Sequence, residues 1–202
     1  MKRMMMLLSM MAGLTLAGCG GSRWTTAERS LIEDQPDVMR VLTVGNEADL
    51  AVLRTPCRDL STKELADPLY AVLAHKLIAT VTSPEQDGAG IAGPQVGLSR
   101  NVIAAQRFDK PGEPFEVYPN IRITATYGEP ELGSEGCLSV PGRRGQVLRY
   151  RDIEISYTSP ETGKTVSERV QGFTAVVFQH ETDHLKGVLY TDKLCGSEAA
   201  EN

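Results

Sequence analysis

The chain has three histidines, and two of them stand in His180-Glu181-Thr182-Asp183-His184. On a helix, H-E-x-x-H places two imidazoles four residues apart on one face, where both can reach a single metal ion, with a glutamate beside them to move a proton. Two ligands do not complete a catalytic centre: a four-coordinate ion needs a third protein ligand and keeps its fourth position for water. No histidine follows His184, and the acids after it are Asp192, Glu198 and Glu201. A thiolate is the other choice, from Cys57, Cys137 or Cys195. Cys137 stands out because the segment Gly133 to Gly142 surrounds it with small residues that let backbone approach a bound group.

The metal motif needs a helix, and one is expected after Gly172, with Phe173, Val176, Val177, His180 and His184 along one side. An earlier helix is expected after Ser61-Thr62-Lys63-Glu64, which has the spacing of a capping box. Leu65, Leu69, Val72, Leu73, Lys76 and Leu77 continue it at three- and four-residue steps, and Ser83-Pro84 ends it. His75 lies off that stripe and reads as a solvated side chain. Between these helices, β-branched stretches punctuated by Gly and Pro predict strands at Asn101–Ala105, Glu116–Tyr127, Gln146–Tyr150, Asp152–Tyr157 and Thr165–Val170. The turn Thr158–Gly163 makes the last two a hairpin.

At 202 residues, with 41% hydrophobic and 23% charged residues, the composition is that of one globular domain. A formal net charge of −5 argues against a phosphate-backbone partner, so no nucleic acid is expected. Residues 1–18 read as an export signal, with Lys2 and Arg3 ahead of an apolar run that is too short for the roughly 20 residues of a bilayer span. Its end, Leu16-Ala17-Gly18-Cys19, resembles a bacterial lipobox, which implies a lipidated Cys19 and a body tethered to a membrane outside the cytoplasm. Residues 19–46 read as a spacer, 47–195 as the catalytic domain and 196–202 as a flexible tail. Outside the cytoplasm, Cys57 and Cys195 would be either two free thiols or a disulfide.

Three segments together resemble the signature motifs of the peptide deformylase family: Gly88-Ala89-Gly90-Ile91-Ala92-Gly93-Pro94-Gln95, Glu135-Gly136-Cys137-Leu138-Ser139 and Gln179 to Leu185. The resemblance implies an α+β fold, antiparallel β-sheets packed around a central helix that carries H-E-x-x-H. It implies a hydrolase of protein biosynthesis that removes the N-formyl group from N-formylmethionyl peptides and releases formate. Cys137, His180 and His184 would hold one divalent ion, Fe2+ in the cell with Zn2+, Ni2+ or Co2+ as substitutes. Metal-bound water would attack, with Glu181 as general acid and base. The Gln95 amide and the Leu138 N–H would donate to the oxyanion. Gly90 would hydrogen-bond an extended peptide, and Ala89, Phe173, Val176 and Val177 would line the methionine pocket. Gln179 and Asp183 read as structural or as groups that orient a ligand histidine, and Arg143 or Arg144 would serve an ion pair or the substrate.

Two departures from the family pattern carry expectations. Gly93 replaces the usual alanine before Pro-Gln and is expected to loosen the backbone beside Gln95. Ala89 replaces a bulkier Ile or Val, which predicts a wider pocket and a weaker preference for methionine. Export sits awkwardly with a cytoplasmic reaction: either the leader is not used and the chain is cytoplasmic, or the enzyme acts on formylated peptides outside the cytoplasm, and two alternatives stand beside the first reading. One is an exported metallo-amidase or metallopeptidase of different substrate range; the other is a metal-binding lipoprotein without turnover.

Overall fold

The computed structural model describes residues 23–196. The expected signal segment 1–18, Cys19 and residues 197–202 of the expected tail lie outside the described residues. Among the described residues five helices, α1 (Thr26–Glu33), α2 (Glu47–Leu53), α3 (Thr62–Leu65), α4 (Pro68–Val81) and α5 (Gly172–His184), accompany eight strands. The strands are β1 (Gly90–Ala92), β2 (Val102–Gln106), β3 (Phe115–Pro119), β4 (Arg122–Tyr127), β5 (Glu131–Cys137), β6 (Val140–Arg149), β7 (Asp152–Thr158) and β8 (Thr165–Gln171). They form three antiparallel sheets, β1-β2-β3, β4-β7-β8 and the hairpin β5-β6. The expected α+β class holds, with α5 at the centre.

The two larger of three apolar clusters among the described residues explain the arrangement. Leu69, Leu73 and Leu77 of α4 pack with Ile91, Val102 and Ala104 on one side of the first sheet. On its other side Ala175, Val177 and Phe178 of α5 meet Ile103, Ile153, Ile155 and Val170. The alternation that predicted β7 is real: Ile153 and Ile155 are fully buried, and β7 pairs with β8 from Asp152↔Gln171 to Thr158↔Thr165 as the expected hairpin.

Several boundaries differ from expectation. The helix predicted from Ser61 is two helices. The Ser61–Glu64 box caps only the single turn of α3, and Asp67 then accepts from the Leu69 N–H at 3.0 Å to start α4, with Pro68 in its first turn. Lys76 is buried, its ammonium donating to the Ile32 carbonyl at 2.6 Å. Val72, expected on the apolar stripe, is exposed. The stretch Glu116–Tyr127 breaks into β3 and β4 at Asn120 (φ +56°), whose side chain accepts from the Leu60 N–H at 2.7 Å. β5 was not anticipated, because Gly133, Ser134 and Gly136 are poor strand formers; pairing with β6 supplies what propensity lacks.

The largest correction concerns residues 19–46. From Trp24 onward this segment is part of the body and not a spacer. α1 has its own capping box, Thr25 with Glu28, and Trp24, Ile32, Met39 and Leu42 are all buried. Two turns of helix are too short to show a sustained period, and such a helix is stable only through the surface it packs on.

Candidate active site

α5 changes character along its length. Its first half buries Thr174, Ala175, Val177 and Phe178; its second half buries Gln179, Glu181, Thr182, Asp183 and His184, so each polar group there needs a partner. Gln179 clamps the end of β6, accepting from the Tyr150 N–H at 3.1 Å and donating to the Tyr150 carbonyl at 2.7 Å. Asp183 accepts from Arg149 at 2.6 Å and from Lys193 at 2.7 Å. Arg149, itself buried on β6, binds both oxygens of Glu135 at 2.7 and 3.0 Å, and Glu135 accepts from His180 Nδ1 at 2.8 Å. Burial raises the Glu135 pKa, but the hydrogen bonds from His180 and Arg149 prevail and hold it at about 2.

With Nδ1 of His180 committed to Glu135, its other ring nitrogen is the one left on the Cys137 side to act as a ligand. Cys137 Sγ, His180 and His184 present one donor atom each, all within 4.8 Å of one another, and Cys137 Sγ lies 3.2 Å from His184 Nε2. A register shift between Gly136 and Cys137 turns the end of β5 toward α5. The set of one thiolate and two imidazoles suits a first-row divalent ion. A further sign of fit is Glu181 Oε2, a buried oxygen beside the triad that has no hydrogen-bond partner among the described residues. Cys137 is thereby separated from the other candidate third ligands: Asp192 is bound to Arg54, while Cys57 and Cys195 lie outside the cluster as free thiols. Glu198 and Glu201 are not among the described residues.

Glu181 reaches the cavity because residue 90 is glycine. A Cβ on Gly90 would stand 2.6 Å from Glu181 Oε1. Burial pushes the Glu181 carboxyl up to about 7, with the His180 charge opposing. Burial lowers the His180 pKa, but the hydrogen bonds it donates to Cys137 and Glu135 prevail and raise it well above its ordinary value, whereas burial and the His180 charge lower His184.

Gln95 lies in the 3-10 turn Gly93–Val96 that follows β1. Its Oε1 accepts from the Ala92 N–H at 2.8 Å, which orients the amide so that Nε2 faces Ser139 Oγ at 3.2 Å and Cys137 Sγ at 3.7 Å. Gly93 does not loosen this turn as expected. A Cβ there would come within 2.7 Å of the Arg100 carbonyl and 2.8 Å of the Leu98 carbonyl, so the glycine permits a closer fold of backbone on backbone.

A cavity of about 560 Å3 opens beside these groups, lined by Ala89, Gly90, Gln95, Cys137, Leu138, Phe173, Val176, Val177, His180 and Glu181, with Gln86, Asp87, Arg143 and Arg144 also on its wall. The residues expected to act on substrate or to hold the ion line this one cavity, except His184, which is buried beside it; Gln179 and Asp183 do not line it. Phe173 is half exposed and packs on Phe108, ring centroids 5.2 Å apart.

The roles of Glu135, Arg149, Lys193 and Tyr190, whose ring stacks on His180 at 6.2 Å, were not read from the sequence. For Glu135 a signal existed, since residues i and i+2 of a strand share a face and Cys137 follows it by two. Arg149 had none, because its meeting with Glu135 and Asp183 depends on the register of β5 against β6.

A family model described as Polypeptide deformylase matches residues 38–200. Peptide deformylase of Symbiobacterium thermophilum is 38% identical over 150 residues, covering 72% of this chain and 67% of the relative. That of Leptospira biflexa is 35% identical over 164 residues, covering 78% and 88%. Among solved structures, the class I type b peptide deformylase of Acinetobacter baumannii superposes with a TM-score of 0.69 at 36% identity, covering 78% of this chain and 99% of its own. A second structure of that enzyme, bound to Met-Ala-Ser, superposes at 0.68 with 35% identity, covering 78% and 98%. Motifs, fold and relatives agree, and the chain belongs to the peptide deformylase family.

Proposed function

We propose that the cavity is the catalytic site of a peptide deformylase, in which Glu181 moves the protons and Gln95 with Leu138 receives the developing charge. The chain is a hydrolase of its family's kind, removing the N-formyl group from N-formylmethionyl peptides. The observation that carries the assignment of roles is the Glu181 carboxylate, buried over Gly90 beside three convergent ligand atoms.

Cys137, His180 and His184 would hold one divalent ion, Fe2+ in the cell and Zn2+, Ni2+ or Co2+ as substitutes. When bound, such an ion acts as a Lewis acid and makes a water proton acidic near neutral pH. Glu181 accepts that proton and returns it to the departing amine, a task suited to a carboxyl that exchanges its proton near neutrality. As the formyl carbon becomes tetrahedral, its oxygen takes negative charge that the Gln95 amide and the Leu138 N–H would meet; Gln95 is held in orientation by the Ala92 N–H before substrate arrives. β1 is an edge strand, since its sheet runs β1-β2-β3, and its free edge suits an extended peptide pairing by backbone hydrogen bonds. The methionine side chain would enter between Ala89, Phe173, Val176 and Val177. Met-Ala-Ser, which the Acinetobacter enzyme binds, is the product expected here from formyl-Met-Ala-Ser.

The test is formate release from formyl-Met-Ala-Ser by the full chain purified without oxygen, beside E181A. Metal-dependent release that E181A abolishes supports the reading. Absence of release from protein with an ion bound would overturn it.

We also propose that the chain is exported and anchored by lipid on Cys19. Only Gly20 to Ser22 separate Cys19 from the first described residues, and Trp24 is already buried, so an anchored body would sit close to the membrane face. No helix among the described residues is long and apolar enough to cross a membrane. Incorporation of labelled palmitate into the chain, lost in C19A, is the expected result; recovery of unlabelled chain with residues 1–18 intact would defeat the idea.

A further inference from the structure

The stretch from Trp24 to Asp37 precedes the segment that the family model matches, yet it is packed into the body and reaches the turn that carries Gln95. Glu28 of α1 binds Arg100 through two hydrogen bonds, Nε to Oε1 at 2.6 Å and Nη2 to Oε2 at 2.9 Å. Arg100 has no exposed side-chain surface; Glu64 takes its Nη2 at 2.6 Å from the other side, and the Trp24 ring lies 5.2 Å from its guanidinium carbon.

The backbone of Arg100 in turn closes on the catalytic turn. Its carbonyl and that of Leu98 occupy the space a Cβ on Gly93 would need, and the Leu98 N–H donates to the Gly93 carbonyl at 2.9 Å. A second contact comes from the same helix: the methyls of Leu31 lie 3.6 and 3.7 Å from where a Cβ on Gly97 would be, at the far end of the turn. Both ends of Gly93–Gly97 are thus backed by α1, once through Arg100 and once directly. Close packing and buried, fully partnered charge leave such a turn few alternative positions.

We infer that α1 is a positioning element for Gln95, with Glu28 acting through Arg100 and Leu31 through Gly97. The inference rests on the reading of Gln95 as an oxyanion donor. A donor must be aimed before charge develops, and displacement by a fraction of an ångström weakens it in the transition state more than it weakens substrate binding. The effect therefore falls on kcat and leaves KM unchanged.

A double-mutant cycle on the metal-loaded full chain tests this. E28Q is expected to lower kcat for formyl-Met-Ala-Ser about five-fold with KM and bound metal unchanged. In a Q95A background the same substitution is expected to change kcat no further, because the group being aimed is gone. R29A, which breaks an α1 ion pair to Asp67 and touches neither Arg100 nor Gly97, is expected to keep kcat. An equal loss on adding E28Q in both backgrounds, or no loss in either, would show that α1 contributes stability alone and would overturn the inference. A Q95A variant with unchanged kcat would instead remove the reading of Gln95 on which it rests. If E28Q does not accumulate folded, L31A enters the same cycle with the same expectations.

Discussion

Glu181 and Gly90 share one space: the carboxylate of the helix residue stands 2.6 Å from where a Cβ on the strand residue would be. The glycine is set by the acid that must lie against it, at the point where the central helix crosses the edge strand. Whether or not peptide substrates also use the Gly90 backbone, an alanine there meets Glu181 first.

G90A is therefore expected to push Glu181 out of position and lower kcat by about 100-fold or more, as for loss of a general base, while leaving the metal bound. Formate release measured beside metal content by mass spectrometry checks it. Loss of the ion together with activity would point to collapse of the site rather than displacement of the acid.

Arg149 is a buried cation shared by two buried carboxylates, Glu135 and Asp183. R149M leaves both without their main partner, at an expected cost of about 3 kcal/mol or more in unfolding free energy. Denaturant unfolding of the metal-loaded protein measures this. Because Glu135 also orients His180, weaker retention of the metal during chelator challenge is expected in the same variant.

Ala89 contributes only a methyl group to the cavity wall. The wild-type chain is expected to accept formyl-Leu and formyl-Phe peptides within about ten-fold of formyl-Met in kcat/KM, since small differences in apolar fit discriminate weakly. A89I is expected to narrow the pocket and widen the margin for methionine over phenylalanine. Parallel kcat/KM measurements on the three peptides decide it, and a wide methionine margin in the wild type would refute the open pocket.

Glu28 predicts a pH signature. Burial raises its pKa, but the Arg100 hydrogen bond and the bonds from Thr25 win, lowering it from 4.5 to about 2. A depressed carboxyl stabilises the fold fully above its unfolded pKa and loses that contribution as pH falls through the folded value. Between about pH 4.5 and 2, stability of the wild type should therefore drop more steeply than that of E28Q. Thermal melts across that range, followed by circular dichroism, provide the comparison.

What was legible in the sequence was whatever short-range periodicity and motif spacing encode. His180 and His184 fall on one face of α5 because a helix turns once in 3.6 residues, and β7 with β8 declares itself through alternating Ile153 and Ile155 and the turn between them. The identity of the third ligand was narrowed to Cys137 by its small neighbours, but only the meeting of β5 with α5 brings its sulfur to 3.2 Å from His184 while Asp192 is held by Arg54. Tertiary structure alone decided the roles of Arg149, Gly90 and α1. Arg149 reaches Glu135 through strand register, Gly90 answers to a helix ninety residues later in the chain, and α1 is too short to announce itself without the surface it packs on. Contacts between distant segments leave no periodic trace in either one, so the sequence determined the chemistry available, and packing decided which groups are aimed at it.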